Sequence, residues 1–198
     1  PNINSKLKDV IAKAKANNMP NDNINRCIQK ALGDSNASNY EEIVYEGFGP
    51  CGISVIVEVM TDNKNRAAAD IRCIFSKSGG NLGQSGSVSY MFNKKGYILI
   101  EKTDDIDADE LMLEAIDAGA EDFVAEDEYF EIYTTPENFH SVMELVESKN
   151  LKAIEADIRQ IATIKKELTE EEEQKVQNFL DKLDDNDDVQ NVWHNADM

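Results

Sequence analysis

The order in which strand-like and helix-like patterns alternate along residues 96–163 constrains this chain more than any other feature. "GYILIE" alternates as a strand does. "DADELMLEAIDAG" spaces its apolar residues as a helix does and stops at Gly119. "EDFVAE" and "EYFEIYT" are two strands joined by a tight acidic turn, and "TPENFHSVMELVESK" is a helix. Thr135 is its expected N-cap and Pro136 its first helical residue. "LKAIEADIRQIAT" is extended, with Ile154, Ala156 and Ile158 alternating. A period of two reads as strand and a longer period as helix. The order β-α-β-β-α-β is the split βαβ arrangement of a ferredoxin-like unit.

The last stretch, "KKELTEEEEQKVQNFLDKLDDNDDVQNVWHNADM", holds one helix and one strand. Thr169 and Glu172 form a capping-box pattern, and Val176, Phe179, Leu180 and Leu183 form a buried stripe. One helix and one strand cannot enclose a core. They complete a unit begun earlier, where two strand-like runs in "EIVYEGFGPCGISVIVEVM" flank a Gly- and Pro-rich turn. A helix over 64–78 follows, with Ala67, Ala68, Ile71, Ile74 and Phe75 apolar. "SGGNLGQSGS" closes it with Gly79 or Gly80 at the C′ position, and "VSYMF" is expected as the next strand. Residues 94–160 are therefore expected to be inserted into a discontinuous α/β domain of 39–93 plus 161–198. Both are read as ferredoxin-like.

Upstream, residues 5–17 place Leu7, Val10, Ile11 and Ala14 on one helical face, and Pro20 breaks the pattern. A second helix, capped by Asn21 or Asp22, turns Ile24, Cys27, Ile28, Ala31 and Leu32 inward. Arg26 and Lys30 point outward at i,i+4, Gly33 ends the helix, and "DSNASN" is a linker. Residues 1–38 thus form a helical tip. The expected fold class is α+β in three lobes. The chain opens at Pro1, so a preceding N-terminal segment is expected.

Three cysteines, Cys27, Cys51 and Cys73, lack CxxC spacing, which suits reduced thiols in a cytosol-like setting rather than a disulfide framework. Two distant histidines, His140 and His194, exclude a His-rich metal site. No apolar run reaches the roughly 18–20 residues of a bilayer span. The formal net charge is −19 over 198 residues. Residues 1–100 carry 12 Lys and Arg against 9 Asp and Glu, and residues 101–198 carry 8 against 30. The acidity belongs to the second half, so any phosphate partner must meet the first.

"TDNKNRAAADIR" sets a Lys-Asn-Arg cluster where a strand gives way to a helix. Asp62 and Asn63 can cap that helix, leaving Lys64, Asn65 and Arg66 in its first turn. Helix N-termini favour anions, and cations placed there call for a phosphate. The alternative is a plain turn with Arg66 paired to Asp70. Arg72 and Lys77 extend a basic helix face, or are solvated side chains. "SGGNLGQSGS" could approach a phosphate backbone at Gly80 and Asn81, but it lacks GK[ST] and is no Walker loop. The same loop is otherwise an ordinary helix-to-strand connection. Carboxylate runs such as "TEEEEQ" and "DDNDD" read as solvated faces, and His194 beside Trp193 as a structural pair. No metal cluster, nucleophile elbow or dinucleotide fingerprint is present. No cofactor, small-molecule substrate, membrane partner or catalytic activity is called for.

"KAKANNMPNDNINRCIQKA", "YEGFGPCG", "TDNKNRAAADIR", "FSKSGGNLGQSGSVSYMF" and "DDVQNVWHNADM" together resemble the YebC/PmpR family across essentially the whole chain. The resemblance implies a three-lobed, non-catalytic, cytoplasmic protein of gene expression. Members are described as DNA-binding transcriptional regulators, mitochondrial relatives as translational activators, and bacterial relatives are linked to translation on the ribosome. The implied partner is promoter DNA or ribosomal RNA, with the ribosome itself as a candidate. The implied contact set is Lys13, Arg26 and Lys30 in the tip, Asn63, Lys64, Asn65, Arg66, Arg72 and Lys77 around the second-lobe helix, and Gly80 and Asn81 in the loop. Members carry a basic N-terminal segment before the position of Pro1, and many have Gly where this chain has Cys51. Two other classes remain open: a hydrolase or transferase using the "GGNLG" loop with a carboxylate, and a protein-only interaction module acting through its acidic lobe.

Overall fold

The computed structural model describes residues 7, 10, 11, 14, 15, 18–33, 40–103 and 106–198, with backbone alone for 30–33. The linker expected at 34–39 and the side chains of Lys13 and Lys30 lie outside the described residues. The chain divides into two compact units, residues 1–40 and 41–198.

In the first unit, helix α1 spans Asn21–Gly33. Ile24 is buried, but Cys27, expected inward, is exposed. Val10, which its spacing places on the apolar face of the first helical stretch, is exposed too.

The second unit holds two four-stranded antiparallel sheets. The first contains β1 (Glu41–Phe48), β2 (Ser54–Thr61), β3 (Asn81–Leu82) and β9 (Val189–His194), in the order β3-β1-β2-β9. Helices α2 (Lys64–Lys77) and α5 (Glu170–Asp184) cover one face. Ile53, Val55, Val57 and Val59 meet Ala67, Ile71 and Phe75 of α2 and Val176, Phe179 and Leu183 of α5. Phe75 and Phe179 pack edge to face, with centroids 5.0 Å apart. The Thr169–Glu172 capping box forms, and all four residues of the expected α5 stripe are buried. The C-terminal strand pairs antiparallel with β2, setting Ile56 beside Trp193. Four strands under two helices are thus reached in the chain order ββαβ and then αβ.

"VSYMF" is not a strand. Residues Ser89–Met91 form a single 3₁₀ turn, and β4 begins at Phe92. The cause is Glu46, a buried carboxylate on β1. It accepts hydrogen bonds from the N–H groups of Gly86 (2.8 Å), Val88 (2.9 Å) and Ser89 (2.8 Å). Amides held by a side chain cannot join a ladder, so the short β3 takes the place beside β1. Val88 is turned inward against Ile56, Phe92 and Trp193.

The second sheet contains β4 (Phe92–Glu101), β5 (Ala120–Ala125), β6 (Tyr129–Thr134) and β7 (Ala153–Ala162), in the order β5-β6-β4-β7. Helices α3 (Ala108–Asp117) and α4 (Phe139–Ser148) follow β4 and β6. This is βαββαβ connectivity. Both helices pack on Ile98, Ile100, Phe130 and Ile132. Helix α4 starts later than its sequence suggests. Thr135 does not cap it; its hydroxyl accepts from Asn138 N–H (3.3 Å) in a turn that precedes the helix. A two-stranded pairing of β8 (Lys166–Glu167) with β10 (Ala196–Asp197) completes the described strands.

Candidate nucleic-acid interface

Helix α2 begins where the sequence places its cap. Asn63 has extended backbone angles, and its side-chain oxygen accepts from Arg66 N–H (3.1 Å). Asn63 N–H in turn donates to the Thr61 hydroxyl (3.0 Å). With Ala67, Ile71 and Phe75 facing the core, the exposed surface of the helix includes Lys64, Asn65, Arg66, Arg72 and Lys77, with the acidic Asp70 among them.

The cations of the cluster have carboxylate partners. Arg66 donates to Asp188 (2.9 Å) before β9 and to Asp62 (2.9 Å). Asp188 also accepts from the Thr61 hydroxyl (3.0 Å). Arg66 is held all the more firmly in its charged form, first by its bond to Asp188 and then by Asp62. Its partner is therefore not Asp70, as a plain i,i+4 turn would have it. Lys64 pairs with Glu41 at 2.5 Å, a pair whose members are both more than half exposed. Water and salt screen such a contact, so the ammonium remains open to exchange for another anion.

Arg72 lies along α2, exposed and near Tyr45. Burial raises the pKa of the Tyr45 hydroxyl, and Arg72 opposes the rise. At 100° per residue, Asn65 and Arg72 share one flank of α2, while Arg66 and Lys77 share the other. Gly80 and Asn81 follow the far end of the helix, roughly 20 Å from Lys64 at about 1.5 Å per residue. The glycine there serves packing: a Cβ on Gly80 would lie 2.5 Å from the Phe48 carbonyl oxygen. Asn81 pairs with Phe48 in the β1–β3 ladder. The "TDNKNR" turn and the "GGNLG" loop are thus opposite ends of one helix, not one cradle. Arg26 is exposed on α1 of the other unit.

Sequence reasoning missed two carboxylates. Asp188 belongs to the "DDNDD" run, read as a solvated face, yet its side chain is only 15% exposed. Its pairing with Arg66 spans 122 residues and leaves no local pattern. Glu46 could have been suspected, since an acid stands alone between Tyr45 and Gly47 in a strand. Burial pushes its carboxyl upward, but the backbone N–H donors of Gly86, Val88 and Ser89 outweigh that, and the net shift is downward. His194 is lowered by burial. Among the described residues, no His, Cys, Asp and Glu cluster is arranged to hold a metal ion. No described helix is long and apolar enough to cross a membrane.

The model of the TACO1/YebC protein N-terminal domain matches residues 1–34, and that of the TACO1/YebC second and third domain matches residues 40–196. The chain belongs to the TACO1/YebC family. A relative from Acetivibrio thermocellus is 55% identical over 98% of this chain and 81% of its own length. One from Thermoanaerobacter pseudethanolicus is 52% identical over 100% of this chain and 80% of its own. Both are named probable transcriptional regulatory proteins. The crystal structure of a conserved hypothetical protein from Aquifex aeolicus superposes with a TM-score of 0.84 at 40% identity, covering 100% of this chain and 81% of that one. Family members of this type are named as regulators rather than as enzymes.

Proposed function

We propose that this protein is a cytoplasmic regulator of gene expression that binds nucleic acid, promoter DNA in the first instance, without catalysing a reaction. The observation that carries the reading is the partition of charge. Residues 1–40 hold six Lys and Arg against three Asp and Glu, and residues 41–100 hold six against six. Residues 101–198 hold 8 against 30. The only segment with a net positive charge is the first, so phosphate contact starts there, with Lys13, Arg26 and Lys30. Within the second unit, taken by itself, the proposed contacts are Asn63, Lys64, Asn65, Arg72 and Lys77 on α2, and Gly80 and Asn81 beyond it. Arg66 joins only by leaving Asp188. The names of the relatives support a nucleic-acid role in general.

A second reading, a translation factor contacting ribosomal RNA, is favoured by the acidic half. A charge of that size beside duplex DNA is repelled over about a Debye length, whereas on a ribosome it can point away from RNA. The test is promoter-fragment shift and ribosome co-sedimentation in parallel, on wild type and on Lys64→Ala with Arg72→Ala. Two lost phosphate contacts lower the salt slope for duplex DNA by about 2, and somewhat less for single strands. Wild-type affinity and slope in the double variant would remove α2 from the interface. Binding to neither DNA nor ribosomes would overturn the reading as a whole.

A further inference from the structure

The second sheet has one face under α3 and α4 and another that these helices leave uncovered. Register fixes what the uncovered face carries. Tyr97 of β4 lies opposite Tyr133 of β6 and Asp157 of β7, and Leu99 opposite Glu131 and Glu155. The two tyrosines stand on the two central strands, with ring centroids 5.4 Å apart. Glu131 lies between them. One of its oxygens accepts from the Tyr97 hydroxyl (3.1 Å) and the other from the Tyr133 hydroxyl (2.7 Å). Burial, then Glu131, pushes the Tyr97 hydroxyl up to about 12 and raises Tyr133 as well, so both stay protonated donors. Asp122 lies opposite Tyr133 on the outer strand.

This lattice already receives a guanidinium. Arg159 lies over the Tyr97 ring, with Cζ 4.3 Å from the centroid, and donates to Asp157 (2.5 Å) and Glu155 (2.5 Å). Aromatic faces attract guanidinium groups, and carboxylates hold them in place. The carboxylates Glu131, Glu155, Asp157 and Asp122 outnumber Arg159 and Lys95, which lies opposite Arg159 and pairs with Glu121 (3.3 Å), so the face stays negative with its own cations seated.

We infer that the uncovered face of the β5-β6-β4-β7 sheet is a docking surface for an arginine- and lysine-rich protein segment. The partner's cations would lie against Tyr133 and the Glu131, Glu155 and Asp122 carboxylates, repeating the contact Arg159 makes within the chain. Tyrosines on the central strands of such a sheet could also stack nucleic-acid bases, but Tyr97 is buried beneath Arg159 and only Tyr133 is partly open. Here the carboxylates around the rings repel phosphates, and charge complementarity selects the basic polypeptide. The surface is separate from α2, and the inference does not depend on the nucleic-acid reading.

The experiment titrates the full chain with a synthetic twelve-residue peptide of alternating Arg and Gly, and separately with a single-stranded oligouridylate. Amide and tyrosine-ring NMR shifts locate binding, and calorimetry gives affinity. Shifts at Tyr97, Glu131, Tyr133 and Arg159 are expected with the peptide. Glu131→Gln with Glu155→Gln and Asp122→Asn should weaken peptide binding by about tenfold or more. A control with Glu170→Gln, Glu171→Gln and Glu173→Gln on α5 removes the same charge elsewhere and should leave affinity within about twofold of wild type. If Glu131→Gln disturbs the tyrosines, as the spectrum without peptide would show, Glu155→Gln with Asp122→Asn alone serves and should still weaken binding. Equal losses in face and control variants would mean unspecific charge attraction and overturn the inference. So would peptide shifts elsewhere, or shifts of this face by the oligouridylate alone, which would make it an RNA platform.

Discussion

Replacing Glu46 by Gln tests whether one buried carboxylate shapes the 83–91 loop. The carboxylate accepts three backbone N–H bonds. The amide retains one acceptor oxygen, which can keep the pair from Val88 and Ser89. Its NH₂ then faces Gly86 N–H, donor against donor. One charge-assisted bond is lost outright, at about 1.5–3 kcal/mol, and the other two weaken as the charge disappears. The expected destabilisation is about 2–4 kcal/mol at neutral pH, or a fall in Tm of about 5–15 °C for a unit of this size. The pH dependence has a definite sign. The Glu46 carboxyl is lowered in the folded protein. Its stabilisation is therefore complete above the unfolded value of about 4.3 and is lost as pH falls through the folded value. The gap between wild type and variant should narrow below about pH 4. Thermal denaturation across pH supplies the magnitude, and amide hydrogen exchange supplies the location. Gly86, Val88 and Ser89 should lose protection before the sheets do. A change under about 0.5 kcal/mol, or a gap independent of pH, would refute the claim that Glu46 holds the loop.

Phe179→Ala removes one half of the edge-to-face pair with Phe75 in a fully buried site. It should cost about 3–5 kcal/mol by urea denaturation, and a cost under about 1 kcal/mol would contradict the packing. Gly80→Ala should destabilise the chain, because the added carbon meets the Phe48 backbone oxygen rather than a movable side chain; a melting temperature at or above wild type would contradict that contact. The proposed division, with 94–160 inserted between 39–93 and 161–198, predicts that a fragment covering β4 to β7 folds alone. Circular dichroism and a dispersed NMR spectrum check it, and an unfolded fragment would contradict it.

Local order along the chain was legible from residues alone. The β-α-β-β-α-β run, the α5 stripe and the Thr169 capping box depend on periodicity and short-range hydrogen bonds, which a sequence carries in the open. So did the Asn63 cap of α2, because cap chemistry is settled within three or four residues. The failures share a different cause. "VSYMF" has strand-like composition, yet Glu46, some forty residues earlier, takes its amides. Thr135 has the chemistry of a cap, but the chain makes one more turn before α4 starts. Cys27 fits a helical stripe, but a stripe shows which residues share a face and not whether anything covers it.

The basic cluster divides along the same line. Its cations and their place at a helix N-terminus are readable in "TDNKNR". That Arg66 spends its charge on Asp188, and that Gly80 packs against the Phe48 carbonyl, required the fold. A sequence records which residues are adjacent in the chain, and so it determines periodicity, caps and the distribution of charge between halves. Ion pairs and buried acceptors join residues that the chain itself keeps far apart, and only the tertiary structure decides which charges remain free to meet a partner.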